Sequence, residues 1–251
     1  MWFGFWRSTH RHEKDLLSWI RHQIGADLHA HWLPAIDDGA KTFSEGANML
    51  TLMQEMGWHT AVATPHILYP HYPNTPDSIA VTYEAMKTKL SSTSSLLPRT
   101  AYAAEYFADE YFFEAVKQDK PLLCFGERYV LMELPVFQQP QFLPSLLFEL
   151  RRRAYVPVLA HPERYFYLGP ALIELWHRYD GLLQLNLLSL LEHYGAGARK
   201  QAEALLKEGM ADFVATDAHH VRHLQALWKL PSVSAWKLLQ RHTFKNSLCL
   251  L

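Results

Sequence analysis

Seven short apolar runs alternate along this chain with stretches of helical periodicity, and six of the seven stop at or beside a histidine, glutamate or aspartate. The runs are Ile24 to His29, Trp58 to Thr64, Thr100 to Ala104, Tyr129 to Met132, Tyr155 to Ala160, Gly181 to Leu185 and Asp212 to Thr216. They end at His29, at His66 just past Pro65, and at Glu105, Glu133, His161, Asn186 and Asp217. Each has the length of a strand. Between the runs, Thr42-Phe43-Ser44-Glu45 has the form of a capping box, and Ala47, Leu50 and Met53 follow at helical spacing until Gly57. Thr75-Pro76-Asp77 reads as an N-cap with proline at the first helical position, opening a helix toward Leu90. Further helices are expected through Tyr111, Phe112, Ala115 and Val116, and from about Phe142 to Arg153.

Strands separated by helices pair in parallel through right-handed crossovers. The fold class is therefore α/β, as a barrel or a doubly wound sheet. The run ends decide between them. A barrel brings every C-terminal strand end to one mouth, whereas an open sheet leaves the outer ends too far apart to share a site. The expected architecture is a distorted seven-stranded (β/α) barrel with its site at the C-terminal ends of the strands.

At 251 residues the chain suits one large domain, read as a catalytic domain over 24–251 preceded by an N-terminal extension, 1–23. A net charge of -1 argues against a nucleic-acid binder. Met1 to Trp6 is apolar but too short for a signal peptide or a membrane span, so a cytoplasmic location is expected. Trp2, Phe3, Phe5 and Trp6, with Arg7, Arg11 and Lys14 behind them, form a candidate for peripheral docking on a membrane or partner; the alternative is a mobile or crystal-ordered tail. Cys124 and Cys249 stand in no metal-spacing motif and read as reduced thiols.

His29 and His31 lie two apart on an extended segment and share one face. With Asp38, His66, Glu105, Glu133, His161, Asp217 and His219 they make five imidazoles and four carboxylates. Singly, each has a plain reading as a solvated strand end or a turn residue. Together at one mouth they stay unsatisfied unless cations compensate them. That is more donors than one ion uses, so two or three are expected, with a carboxylate such as Glu105 bridging. The mixed nitrogen and oxygen set suits manganese, iron, zinc or cobalt. An excess of cationic charge would attract a phosphate dianion, and Arg164 and Arg222, each three residues beyond a candidate ligand, are placed to bind its oxygens; the alternative for both is a salt bridge. Tyr69, Tyr72, Tyr106, Tyr165 and Tyr167 are candidates to line a slot for an aromatic ring, with core or rim packing as the alternative.

Asp27-Leu28-His29-Ala30-His31, Leu33-Pro34-x-Ile36-Asp37-Asp38-Gly39-Ala40, Ala63-Thr64-Pro65-His66, Ala103-Ala104-Glu105-Tyr106, Ala160-His161-Pro162-Glu163-Arg164-Tyr165 and Thr216-Asp217-Ala218-His219-His220 resemble the motifs of the polymerase and histidinol phosphatase (PHP) superfamily. Within it they are most similar to the bacterial manganese-dependent protein tyrosine phosphatases of capsule and exopolysaccharide synthesis, the CpsB/CapC type. The resemblance implies a trinuclear site with manganese favoured. His29, His31, Glu105 and Asp217 would hold one ion. Glu105 would bridge to a second, also held by Glu133 and His161, and Asp38, His66 and His219 would hold the third. Arg164 matches the family's phosphate-binding arginine, and Arg222 is the candidate for a second one, although it follows the aspartate at a shorter spacing than in the family pattern. The implied activity is hydrolysis of phosphotyrosine by a metal-bridging hydroxide. The implied partner is the phosphotyrosine-bearing tail of a membrane-associated tyrosine kinase, met at the inner face of the membrane. A small-molecule phosphatase of the histidinol-phosphate kind and a non-catalytic metal-binding regulator of phosphorylated tails remain the rival readings.

Overall fold

The computed structural model describes residues 12–92 and 96–249. The aromatic cluster from Trp2 to Trp6 and its neighbours Arg7 and Arg11 lie outside the described residues.

Helix α1 (residues 12–19) runs through a π-turn, Ile20–Ile24, into β1 (Ala26–Ala30). Next come α2 (Phe43–Glu55), β2 (Thr60–Ala63), β3 (His66–Ile67), α3 (Pro76–Leu90), β4 (Arg99–Tyr102) and β5 (Glu105–Phe107). The chain continues through α4 (Glu110–Lys117), β6 (Tyr129–Glu133), α5 (Leu143–Arg152), β7 (Val156–Ala160), α6 (Pro170–Arg178) and β8 (Leu182–Asn186). It ends with α7 (Gly195–Lys207), β9 (Phe213–Ala215), α8 (Val221–Ala226) and α9 (Trp236–Arg241).

All ladder pairings are parallel, in the orders β1-β2-β4 and β3-β5-β6-β7-β8-β9. The two sheets are parts of one ring. β2 and β3 form a single strand course broken at Thr64-Pro65, where proline has no N–H to give, and β4 and β5 form another broken at Ala103-Ala104. Ala103 N–H donates to Ala63 O at 2.7 Å and Glu105 N–H to Pro65 O at 3.1 Å, which carries the pairing across both breaks. On the other side β1 meets the end of β9, with Asp217 N–H on His29 O at 2.8 Å and His31 N–H on Ala218 O at 2.9 Å. Seven strand courses result, as the run pattern predicts.

Helices α2 and α3 start at the caps expected from the sequence, and α4 starts at a further one. Thr42 Oγ1 accepts from Glu45 N–H, Thr75 and Ser78 cap each other reciprocally ahead of Pro76, and Asp109 Oδ1 accepts from Phe112 N–H. Strand residues Ala26, Leu28, Val62, Leu131, Val158, Ala160 and Phe213 pack with Ala103, Phe125 and Cys249 in a small inner core, while helix faces join the strands in a larger one. The described part of the segment ahead of the first strand belongs to that larger core. Leu16, Trp19, Ile20 and Ile24 are buried there, and the Trp19 ring meets Trp236 and Phe244 edge-on. Among the described residues no helix is long and apolar enough to cross a membrane.

Candidate metal centre

The parallel ring delivers the sequence-predicted residues to one place. Three overlapping groups form at the C-terminal strand ends, each with donor atoms mutually within 4.8 Å: His29, His31, Glu105 and Asp217; His31, Asp38, His66 and His219; and His66, Glu105 and Glu133. His161 joins through Nε2, 3.0 Å from Glu105 Oε1 and 3.9 Å from Glu133 Oε2. All nine predicted ligand residues therefore lie in one cluster. His161 and Asp217 reach it from left-handed backbone, φ 36° and 49°, a conformation that costs an ordinary L-residue roughly 1–3 kcal/mol and gathers at functional sites.

The imidazole tautomers are set by groups other than the clustered ligand atoms. His29 Nδ1–H donates to Gln184 Oε1 at 2.8 Å, His31 Nδ1–H to Asp37 Oδ2 at 2.8 Å and His219 Nδ1–H to the Asp217 carbonyl at 2.9 Å. Each Nε2 lone pair is thereby turned inward, the arrangement that ligating histidines adopt. His29 Nε2 and His31 Nε2 face each other at 3.2 Å, with Glu105 Oε2 3.0 Å and Asp217 Oδ1 3.3 Å from His29. Two acceptors and two carboxylate oxygens around one point require a cation or a proton between them. His66 Nδ1 lies 3.2 and 3.3 Å from oxygens of Glu105 and Glu133 without the alignment of a hydrogen bond. The donor set fits divalent ions.

The protein's charge balance says the same. Burial alone would push Glu105 and Asp217 up, yet the surrounding histidines, His29 foremost, hold both well below the usual carboxylate range. Burial opposes protonation of His29, His31 and His66, but Glu105 and Asp217 raise the first, Asp37 the second, and Glu105 with Glu133 lifts His66 to about 9. The carboxylates thus favour positive charge at these imidazoles against burial, as they would favour a bound cation. His161 departs from them: burial and the Arg164 guanidinium keep it below the ordinary histidine value.

The cluster floors a cleft of about 470 Å³ lined by Asp38, His66, Tyr72, Arg164, Tyr194 and His219 among others. Arg164 ends the 3-10 turn Pro162–Arg164; its Nη1 donates to Asp217 Oδ2 at 3.2 Å and its guanidinium lies 4.4 Å from the Tyr194 ring centroid. Tyr194 OH and Asn186 Nδ2 donate to the same Asp217 oxygen, leaving Oδ1 toward His29 and His31. Arg222 is not brought into the cleft: it is exposed on α8, while His220 and His223 of the same segment line the wall. Of the five tyrosines expected near a slot, Tyr72 lines the cleft. Tyr106 and Tyr165 are buried, with their hydroxyls on Leu123 and Leu134 N–H, Tyr167 is fastened to Pro135 O, and Tyr69 stacks on Tyr111 at the surface.

Sequence reasoning gave no role to Gln184, Asn186 and Tyr194, and read Asp37 with Asp38 only as a turn able to supply oxygen ligands, not as the partner of His31 Nδ1. Asp37 sat in view beside Asp38, and Asn186 ends the one strand run without a predicted ligand. Gln184 and Tyr194 carry no local signal, because their partners are distant in sequence.

Relatives share this arrangement of elements. One of the crystal structures of the metal-dependent tyrosine phosphatases YwqE of Bacillus subtilis and CpsB of Streptococcus pneumoniae superposes with a TM-score of 0.76 at 27% identity, over 90% of this chain and 94% of that one. The tyrosine-protein phosphatase YwqE of Bacillus subtilis is 28% identical over 202 residues, 78% of each chain. The CapC protein of Staphylococcus aureus is 29% identical over 197 residues, 78% of this chain and 77% of that one. The lactonase Lmo2620 of Listeria monocytogenes shares the fold alone, at 10% identity and a TM-score of 0.52. Residues 25–229, most of the chain, match the CpsB/CapC family of capsular polysaccharide synthesis, and the protein belongs to that family.

Proposed function

We propose that this protein is a metal-dependent protein tyrosine phosphatase of capsular polysaccharide synthesis. The observation that carries the reading is the stack of three overlapping histidine-carboxylate groups beneath a cleft whose wall bears Arg164. His29, His31, Glu105 and Asp217 would hold one divalent ion, Glu105, Glu133 and His161 a second with His66 beside it, and Asp38, His66 and His219 a third. The donor set of nitrogen and carboxylate oxygen without cysteine suits manganese, iron, zinc or cobalt, and the family resemblance favours three ions and manganese among these. Bound there, divalent ions supply Lewis acidity and lower the pKa of a water toward neutrality, which is the chemistry of phosphate-ester hydrolysis.

The chain's own groups do the rest. Arg164 is tethered at Nη1 by Asp217 and steadied over Tyr194, which leaves its other N–H groups for the non-bridging oxygens of phosphate, where charge develops. Tyr72, stacked on His66 with ring centroids 5.5 Å apart, offers an apolar face to a phenyl ring. The tyrosine phenol, with a pKa of about 10, asks little of a general acid as it leaves. Neither cysteine is suited to act as a nucleophile: Cys249 lies in the inner core, and burial pushes the Cys124 thiol up to about 12. The proposed substrate is the phosphotyrosine-bearing tail of a membrane-associated kinase, met in the cytoplasm at the inner face of the membrane.

With manganese present, purified protein is expected to turn over a phosphotyrosine peptide with a higher kcat/KM than histidinol phosphate. A clear preference for the small molecule would overturn the substrate assignment.

A further inference from the structure

Phe137 and Phe166 are 83% and 75% exposed, the two most exposed aromatic side chains among the described residues. Their rings lie parallel, 5.5 Å apart with 8° between planes. Mutual stacking hides little of either ring, so packing does not account for them.

Both stand on loops that leave the mouth of the barrel. Phe137 follows Glu133 at the end of β6, and Phe166 follows His161 and Arg164 at the end of β7. The same two loops therefore carry cleft-lining groups, Glu133 on one and His161 and Arg164 on the other. The loops are fastened together. Phe166 N–H donates to Val136 O at 3.3 Å, Tyr165 OH accepts from Leu134 N–H at 3.0 Å, and Tyr167 OH donates to Pro135 O at 2.6 Å. Tyr165 and Tyr167 turn inward to make these bonds, and Phe166 between them turns out.

A stacked apolar pair held by these bonds, with Phe166 two residues past Arg164 of the cleft wall and Phe137 four past Glu133, has the properties of a binding anchor: large contact area with little left to order on association. The outer faces and edges of parallel rings favour a further ring, by offset or edge-to-face stacking, over an aliphatic group. We propose that Phe137 and Phe166 form a docking platform for an aromatic side chain of the substrate peptide, within about three residues of the phosphotyrosine on an extended chain. The enzyme then reads peptide context as well as phosphate. The inference rests on the phosphotyrosine reading above and names the sequence class that this reading leaves open.

The test compares three substrates: p-nitrophenyl phosphate, a phosphotyrosine peptide with alanine at every flanking position, and a peptide set with one phenylalanine placed in turn at each of the three positions on either side. The wild type is expected to prefer at least one phenylalanine-bearing peptide over the alanine peptide by about tenfold in kcat/KM. Phe137→Ala with Phe166→Ala is expected to abolish that preference and leave p-nitrophenyl phosphate turnover unchanged. Phe137→Ala alone, at a side chain outside the core, is expected to remove part of the preference should the double variant fold poorly. Equal rates for all peptides in the wild type, or a preference that survives both substitutions, would overturn the platform while leaving the phosphatase reading intact. A wild type that hydrolyses none of the three substrates would overturn the functional reading and the platform with it.

Discussion

Asp37 lies outside the cluster of candidate ligands, yet it controls two of them. Its carboxylate accepts from His31 Nδ1–H, from His66 N–H and from Gly39 N–H, and the imidazole beside it holds its pKa, against burial, down at about 2. Asparagine at this position keeps one acceptor oxygen, so either Gly39 N–H or the His31–His66 pair goes unpaired, and the negative charge that strengthens the bond to His31 Nδ1–H is lost. Asp37→Asn is expected to weaken manganese binding about 10- to 100-fold with the fold retained, as measured by titration calorimetry; unchanged affinity would contradict the role. Glu163 behaves differently. It is fully buried, with Ser189 Oγ and Asn186 N–H on Oε1 and no partner on Oε2, and burial raises its carboxyl from 4.5 to about 7. A carboxyl whose folded-state pKa lies above its unfolded value favours the fold while protonated. Its contribution is intact below about 4.5 and is lost as pH rises through about 7. Metal-free wild type is expected to lose up to about 3 kcal/mol between pH 5 and pH 8 relative to Glu163→Gln, whose amide keeps the two acceptor bonds. Parallel urea-unfolding stabilities across that range would contradict the shift.

At the scale of elements, the strand ends were legible because their chemistry is local. A run of apolar residues followed by His, Glu or Asp marks both the strand and its terminal group, and Glu133, His161 and Asp217 stand where that rule puts them, whereas His29 lies within β1 and Glu105 opens β5 past the break at Ala103-Ala104. Thr75-Pro76 and Asp109 start helices for equally local reasons. Arg222 shows the limit of such reading. Spacing from His219 fixes its place on α8 but not the direction in which α8 turns its faces, and the turn brings His220 and His223 to the wall instead. Gln184 and Tyr194 were invisible for a related reason: Gln184 meets His29 of β1, and Tyr194, ahead of α7, meets Asp217, contacts that form only when the ring closes. The turn after β1 is the tightest device in the site. A Cβ on Gly39 would sit 2.1 Å from the His31 carbonyl oxygen, so any side chain there must push Asp37 and Asp38 away from the histidines. Gly39→Ala is expected to lower kcat/KM for a phosphotyrosine peptide about 100-fold. Activity within a few-fold of wild type would show that the turn tolerates displacement.

For the molecule as a whole, seven strand courses close into one ring, and that closure turns residues spread from His29 to His219 into a single cluster. Pattern alone predicted the strand count, but not how the ring is completed. The two broken strand courses and the β1–β9 junction depend on backbone bonds between distant segments, and the packing of α1 against Trp236 and Phe244 has no local cue. The central claim is that this cluster, loaded with divalent ions, is the catalytic machinery. The most direct measurement is phosphate release from a phosphotyrosine peptide by protein stripped of metal, then resupplied with manganese, alongside a metal-loaded sample treated in its native state with a thiol-alkylating reagent. Release is expected to vanish on stripping, return with manganese and survive alkylation. Activity that persists in fully stripped protein, or that alkylation abolishes, would contradict the account.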